Sequence, residues 1–323
     1  MTLTSVEIPT RVLVFGMVRP DGAVAAAELY PVAAACGQNA EQVRSCLRRL
    51  VAEGLMVREG SGRTAVYRTT AAGDALVGGS LERHQRAYLQ DSQGRGWDGR
   101  WHLAAFAIPE SRRAARDRLR ERLTRLGGAA VTNGLYVSPH PWEKDVKDAA
   151  SALDVADRLT VASSDELEVS GVRSGPEIAR MLWPVDELAA AYDRFLDEFH
   201  DTVPLLERFR THHRRITDTE FLPGALRIVV AFQEVFARDP LLPPELLPRP
   251  WPGRAARELL LVARRLGVRL REEHERPALF RNFDDTTGNP LPRPNTLLID
   301  KIDAPYPGLP QSTVDLITSG RAR

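Results

Sequence analysis

Two cysteines in 323 residues, Cys36 and Cys46, are too few for a disulfide framework or a cysteine-ligated zinc site. Such scarcity fits a chain kept in a reducing cytoplasm. No run of 18 or more apolar residues occurs, so no transmembrane helix is expected. Met1 to Pro20 lacks a charged start followed by a long apolar stretch, and no secretory leader is expected there. Lysine is scarce as well: of 44 basic side chains only Lys144, Lys147 and Lys301 are lysine. Against 43 carboxylates this leaves a formal net charge of +1, which excludes a generally basic, nucleic-acid-coating chain. Any nucleic-acid contact must be local. The arginine bias, beside abundant alanine, has the stamp of a GC-rich coding sequence, so arginine number alone is no sign of phosphate binding. Also missing are the G-x-S-x-G elbow, the Walker A loop and the dinucleotide-binding glycine fingerprint. No nucleophile and base stand at a telling spacing. Neither an enzyme, a metal site nor a cofactor is expected.

What is present is an ordinary globular balance, 43% apolar and 27% charged, at a length suited to two or three domains. The pattern predicts an α+β chain. Residues 1–75 form one small unit. An apolar segment, Ile8 to Met17, ends in the turn signal Arg19-Pro20-Asp21-Gly22. Helices are expected over Ala23–Ala35 and Asn39–Leu50. The second has a marked start, with Asn39 as N-cap and Gln42 three residues on as its capping-box partner. Gly54 stops it. Leu55-Met56-Val57 and Ala65-Val66-Tyr67 then read as two strands joined by the glycine-tipped Glu59 to Arg63 turn. Residues 76–96 read as a polar connector.

From Trp97 to 183 a second unit is expected. It has strands at Trp101–Ile108, Ala130–Ser138 and Arg158–Ala162, an edge strand at Glu166–Val172, and helices at Ser111–Leu126 and Glu143–Leu153. That β-α-β-α-β order points to a ferredoxin-like sandwich. Residues 184–275 read as wholly helical apart from the proline-rich Asp239 to Gly253, which cannot continue a helix. Residues 276–323 read as a proline-rich tail.

The informative segment is Asn39 to Gly54. At 100° per residue Val43, Leu47 and Leu50 share a face, with Cys46 beside them. Glu41, Ser45, Arg48 and Ala52 point the other way, flanked by Arg44 and Arg49. A DNA-reading helix needs this division: one stripe held by a core, the other offered to a major groove. Arg44 and Arg48 suit bidentate contacts to guanine, Ser45 permits close approach, and Gln42 suits adenine or a phosphate. In the following hairpin Arg58, Arg63 and Arg68 are placed as wing contacts to phosphates or a minor groove. Residues 38–69 hold six arginines against three glutamates. Helices, hairpin and glycine tip in this order predict a winged helix-turn-helix that binds double-stranded DNA. Winged folds also serve as protein-interaction or scaffold modules, and that alternative stays open.

Four stretches resemble the phenylacetate-degradation repressor family, the PaaX-like regulators. They are Val43-Arg44-Ser45-Cys46-Leu47-Arg48-Arg49-Leu50-Val51-Ala52-Glu53-Gly54, then Trp97-Asp98-Gly99-Arg100-Trp101, then Asn133-Gly134-Leu135-Tyr136-Val137-Ser138-Pro139-His140, then the Asp239 to Gly253 segment. They lie in family order across roughly residues 8–275. The resemblance implies a winged N-terminal domain, a central domain similar to Cas2-type ferredoxin-like proteins that dimerises, and a helical C-terminal domain that senses an effector. It implies a homodimeric repressor of transcription, released from DNA by an aryl-CoA thioester such as phenylacetyl-CoA. The DNA-binding role carries over to Arg44, Arg48 and Arg49.

With such an effector in view, Arg112, Arg113 and Arg116 at the start of a helix suit CoA phosphates. The same arginines suit an exposed, ion-paired surface, and that is the preferred reading. Trp97 and Trp101 suit stacking on an aryl group or adenine, or else anchor a strand in the core. His102 and His140 read as structural residues. Cas2-type relatives raise a metal-dependent nuclease as a rival. The end of the first central strand offers only Glu110, which reads as a helix-start residue, so nuclease chemistry is not expected.

Overall fold

In a computed structural model, residues 7–19, 21–93 and 96–270 are described. The tail expected at 276–323, and Pro20, Gly94 and Arg95, lie outside the described residues. The elements are α1 (Thr10–Gly16), β1 (Ala23–Ala25), α2 (Ala26–Ala35), α3 (Ala40–Ala52), β2 (Met56–Glu59), β3 (Val66–Thr69) and α4 (Ala71–Gln93). They continue with β4 (Trp101–Phe106), α5 (Arg113–Arg125), β5 (Ala129–Thr132), β6 (Leu135–Ser138), α6 (Glu143–Ala152) and β7 (Leu159–Ser164). Five helices complete the described residues: α7 (Gly175–Leu182), α8 (Val185–Phe199), α9 (Thr202–Thr211), α10 (Asp218–Phe236) and α11 (Pro252–Leu270). No described helix is long and apolar enough to cross a membrane.

The residues group into two compact units. One combines the described parts of 1–88, 192–236 and 252–323. Its three-stranded sheet runs β1-β3-β2, antiparallel throughout. Around it, Leu13, Val14 and Met17 of α1, Leu29 and Val32 of α2, and Val43, Leu47 and Leu50 of α3 form a common core. α10 adds Leu222 and Leu226 to that core, so a helix from far along the chain completes it. A second cluster in this unit is aromatic: Tyr192 and Phe195 of α8 meet Phe232 of α10, Phe199 packs on Phe195 and Phe236 on Phe232, and the centroid of the His84 ring of α4 lies 4.4 Å from that of Phe236. α9 and α11 pack through Val203, Leu206, Ala263 and Leu266.

Two expectations need correction here. Ala23-Val24-Ala25 is a short strand and not the start of a helix; three small residues carry no period that separates the two. The stretch 76–96 read as a polar connector is mostly helix, because α4 runs through to Gln93. Gly73, Gly78 and Gly79 lower its intrinsic helicity by roughly 1 kcal/mol each, which hides it from a propensity reading. Its start is set by tertiary contact. The Thr70 hydroxyl accepts from Gly73 N–H and donates to Gly54 O (3.2 and 2.7 Å), and a Cβ on Gly73 would fall 2.2 Å from Leu55 O.

The second unit comprises 89–191 and 237–251. Its sheet is antiparallel in the order β5-β6-β4-β7. With α5 and α6 the chain order is β-α-β-β-α-β, and the sheet order is the one a ferredoxin-like sandwich has. The single strand expected over Ala130–Ser138 is therefore a hairpin, with Asn133-Gly134 as its two-residue turn. The edge strand expected at Glu166–Val172 is also corrected. Only Val169 and Val172 bridge, across a tight turn with Ser170 and Gly171 at positive φ. Ala104, Phe106, Leu119, Leu123, Tyr136 and Val146 fill the space between sheet and helices.

Candidate nucleic-acid interface and the central unit

α3 begins as its sequence predicts. The Asn39 side chain accepts from the N–H groups of Glu41 and Gln42 (3.0 and 2.9 Å), and the Gln42 side-chain oxygen accepts from Asn39 N–H (2.8 Å). This capping box satisfies donors that the first turn leaves open. It also commits the amide oxygen of Gln42, a residue expected at the DNA. Gly54, at φ +70°, ends the helix. Val43, Cys46, Leu47 and Leu50 are buried. Burying each aliphatic side chain is worth about 1.5–3 kcal/mol, so the core fixes the rotation of the helix. Burial also pushes the Cys46 thiol up, and that of Cys36 up to about 11; both are free thiols and poor nucleophiles at neutral pH.

The opposite face carries Glu41, Arg44, Arg48 and Arg49, all exposed, with Ser45 half-buried. Arg44 and Arg48 both reach back to Glu41. Arg44 Nη2 lies 2.8 Å from Oε2, and Arg48 Nη2 lies 3.1 Å from Oε1. Hydrogen bonding and charge from Arg44, and then the charge of Arg48, hold the Glu41 carboxyl below its ordinary range. Exposed ion pairs of this kind contribute little to stability, and the arginines can exchange Glu41 for another acceptor at small cost.

Of the expected wing residues, Arg58 is exposed on β2. Arg68 sits between Glu59 (3.2 Å) and Asp21 (3.8 Å), an ion-paired position joining the two edges of the sheet. Arg63 lies in the hairpin loop, in a 3-10 turn from Gly62 to Thr64; its side chain is outside the described residues.

In the second unit the Trp97 to Trp101 stretch is a built turn. Gly99 takes φ +80°, and one oxygen of Asp98 accepts Arg100 N–H (2.8 Å). The other meets His102 Nε2 at 3.0 Å. His102 Nδ1 faces Glu143, the first residue of α6, at 2.6 Å. His102 is buried, so this chain of contacts ties the turn, β4 and α6 together. Burial is the largest single influence on Glu143 and would raise its carboxyl. Hydrogen bonds from His102 and from the N–H groups of Glu143 and Trp142, with the His102 charge, hold it below the ordinary 4.5. A lowered folded value means stability that is fully present above 4.5 and lost as pH falls through the folded value. The melting temperature is therefore expected to fall on acidification below that point less steeply in Glu143→Gln than in the parent chain. Parallel slopes in a calorimetric pH series would contradict this.

The segment around Leu241 returns to the same unit. Leu241 adopts φ +56°, held by Asp239 accepting its N–H (2.8 Å), while its carbonyl accepts from Gln90 Nε2 (3.3 Å) and lies 2.7 Å from His140 Nε2. Glu245 accepts the N–H groups of Gly96 and Trp97 at 3.2 and 3.5 Å. Leu242 and Leu246 join Trp101, Trp183 and Ile178 in one cluster.

Three family profiles match in chain order: "PaaX-like protein" over residues 12–73, "PaaX protein central Cas2-like domain" over 94–175, and "PaaX-like protein C-terminal domain" over 183–275. The chain belongs to the PaaX-like family. Its similarity to the transcriptional repressor PaaX of Escherichia coli (strain K12) is 27% identity over 223 residues, 68% of this chain. The match spans 66% of that repressor, just under two thirds of its length. Among solved structures, an uncharacterized protein from Mycobacterium tuberculosis aligns at TM-score 0.49 and 23% identity, over 83% of this chain and 97% of that one.

Within this PaaX-like chain the Cas2-like assignment of the central region agrees with the β-α-β-β-α-β order found there. Three of the four resembling stretches, at Trp97–Trp101, Asn133–His140 and around Leu241, meet in one unit; the first two were expected to share it, and nothing in the sequence indicated that the Leu241 stretch joins them. The candidate effector residues are already engaged. Arg112 pairs with Asp154 (2.9 Å), Arg116 with Glu110 (2.8 Å), and Arg113 lies between Glu110 and Asp117 at 3.8 and 3.5 Å. Of these three, Arg113 has the most exposed side chain, at 69%. Trp101 is buried and stacks on Trp183, with ring centroids 6.4 Å apart. Trp97 is half-buried, meets Trp101 edge-on at 5.2 Å and donates from Nε1 to Arg100 O. Glu110, the one acid the nuclease reading had to use, is paired with arginine. Sequence reasoning passed over Asp98 and Glu143 as partners of His102. The spacing of Asp98 and His102, four residues apart, hinted at the first, and nothing in the sequence pointed to the second.

Proposed function

We propose that this chain is a sequence-specific DNA-binding repressor of transcription, a cytoplasmic regulator and not an enzyme. Residues 1–75 form its winged helix-turn-helix, with α3 as the reading helix. The observation that carries this reading is the division of α3: a buried stripe fixes the helix, and Arg44 and Arg48 stand exposed on the other side, held only by a surface carboxylate. Arg44 and Arg48 read guanine. Arg49, Arg58 and Arg63 contact phosphates, with Ser45 allowing close approach, Gln42 at the helix start and Arg68 bracing the wing. The family membership and the similarity to a transcriptional repressor support the same reading. A homodimer, formed through residues 97–183, spaces two such helices about 34 Å apart or a multiple of it.

The effector of this proposal is an aryl-CoA thioester such as phenylacetyl-CoA, sensed through residues 184–275. Its phosphates meet the start of α5, where Arg113 offers the most accessible guanidinium beside Arg112 and Arg116, and its aryl group or adenine meets the half-buried Trp97, with the buried Trp101 packed behind it. A hundredfold loss of DNA affinity on effector binding requires about 2.7 kcal/mol of coupling between the two sites. Fluorescence anisotropy of the full chain on its own promoter DNA, at stated salt, with and without phenylacetyl-CoA, tests both parts. Tight, sequence-dependent binding that weakens with the thioester is the expected result. Binding indifferent to the thioester discards that effector and keeps the repressor. A protein without sequence preference is the interaction module that a winged fold also permits.

A further inference from the structure

Glu41 puts a negative charge on a DNA-reading face, at a first-turn position that the helix dipole favours. A carboxylate in the first turn of α3 stands where the groove would hold it near phosphates, and like charge there costs binding to every duplex. It is 65% exposed, so core packing does not require it. The capping of the helix does not require it either, since Asn39 and Gln42 complete the capping box between themselves. What Glu41 does hold is both arginines of the reading face. Oε2 takes Nε and Nη2 of Arg44 at 3.1 and 2.8 Å, and Oε1 takes Nη2 of Arg48 at 3.1 Å. One carboxylate thereby orients two planar guanidinium forks, one residue on the helix turn above and one two turns above.

We propose that Glu41 is a specificity-determining residue, which positions Arg44 and Arg48 for base edges and penalises duplexes that offer phosphate contacts alone. The inference rests on the DNA-binding reading of α3. On a non-matching duplex the arginines gain only phosphate attraction, while Glu41 itself is repelled by the same phosphates. On a matching site each fork turns its outer edge to a guanine while Glu41 holds the inner one, and the carboxylate keeps a lone pair to accept from a cytosine amine, the base contact to which carboxylates are suited. The carboxyl is held charged by Arg44, so both effects operate across the neutral range. The net result is discrimination purchased by weaker binding everywhere else.

The test uses the full chain and a duplex enriched by the wild-type protein from a randomised pool, with a scrambled duplex of equal length and composition. In Glu41→Gln, which keeps size and hydrogen-bonding capacity, affinity for the scrambled duplex is expected to rise roughly three- to tenfold. Its log–log salt slope should steepen by about one phosphate contact, and the ratio of matched to scrambled affinity should fall about tenfold or more. Glu41→Asp, which restores the charge, should return the scrambled affinity toward wild type. A residue with a merely structural role would lower both affinities together and leave the salt slope unchanged. An unchanged ratio in Glu41→Gln overturns this inference alone. A wild-type protein that enriches no sequence overturns the DNA-binding reading, and this inference with it.

Discussion

Alanine in place of both Arg44 and Arg48 is expected to abolish measurable preference for the matched DNA site while leaving the fold intact. Each bidentate contact to guanine is worth on the order of 10- to 100-fold in discrimination, and the two side chains share one face of α3. Neither reaches into the core: their side chains are 56% and 74% exposed, and among the described residues their ion partner is Glu41. Thermal unfolding should therefore move little, while anisotropy on the matched duplex loses the affinity that separates it from a scrambled one. The contrast with Arg49 and Arg58 is informative. These are exposed and assigned to phosphates, so alanine there should weaken matched and scrambled duplexes alike and reduce the salt slope by about one unit each. If the double variant retains full discrimination, α3 is not the reading helix.

Gly134→Ala is expected to destabilise the central unit by about 2–5 kcal/mol, from two causes that act together. Gly134 holds φ at +83°, a left-handed conformation that resists a side chain. A Cβ there would also stand 2.6 Å from the backbone oxygen of Phe106, an atom that no rotamer change can move away. The contact is close because the Gly134 carbonyl accepts Phe106 N–H at 2.8 Å, which pins the hairpin turn against the end of β4. A fall in melting temperature of roughly 10 °C or more follows for a unit of this size. A shift within about 2 °C would show that the turn relaxes freely and that its position does not depend on glycine.

That same turn shows how legibility divides in this chain. Asn133-Gly134 between apolar residues is a hairpin signal written in the sequence, yet the run from Ala130 to Ser138 also satisfies the pattern of one long strand. The strand reading passed over the turn, and the antiparallel pairing of β5 with β6, backed by β4, shows the hairpin. α3 had no such ambiguity. Its cap, its glycine stop and its buried stripe are local, and all of them appear in the structure as the sequence predicts. For α4 the reverse holds. Three glycines and a weak period argue against a long helix, and packing of its start onto Leu55 outweighs them. The identities of the residues that face DNA in the proposal were legible for the same reason as α3: a helix face follows from periodicity alone. What those side chains do in the absence of DNA was not, because the Glu41 fork depends on rotamers.

The sequence by itself determined the α+β character, the position and facing of α3, the strand-and-helix order of the central unit short of one strand, and the lack of transmembrane, disulfide and zinc-finger signatures. Those properties rest on composition and on periods of two and 3.6 residues, which act over a few turns of chain. Only the tertiary structure decided that α10 completes the core of α1 to α3, that His102 bridges Asp98 and Glu143, and that the Leu241 segment returns to the central unit. Each of these joins residues from different elements. The free energy of such contacts comes from burial and from satisfying polar groups at long range, where spacing along the chain carries no information about distance in space.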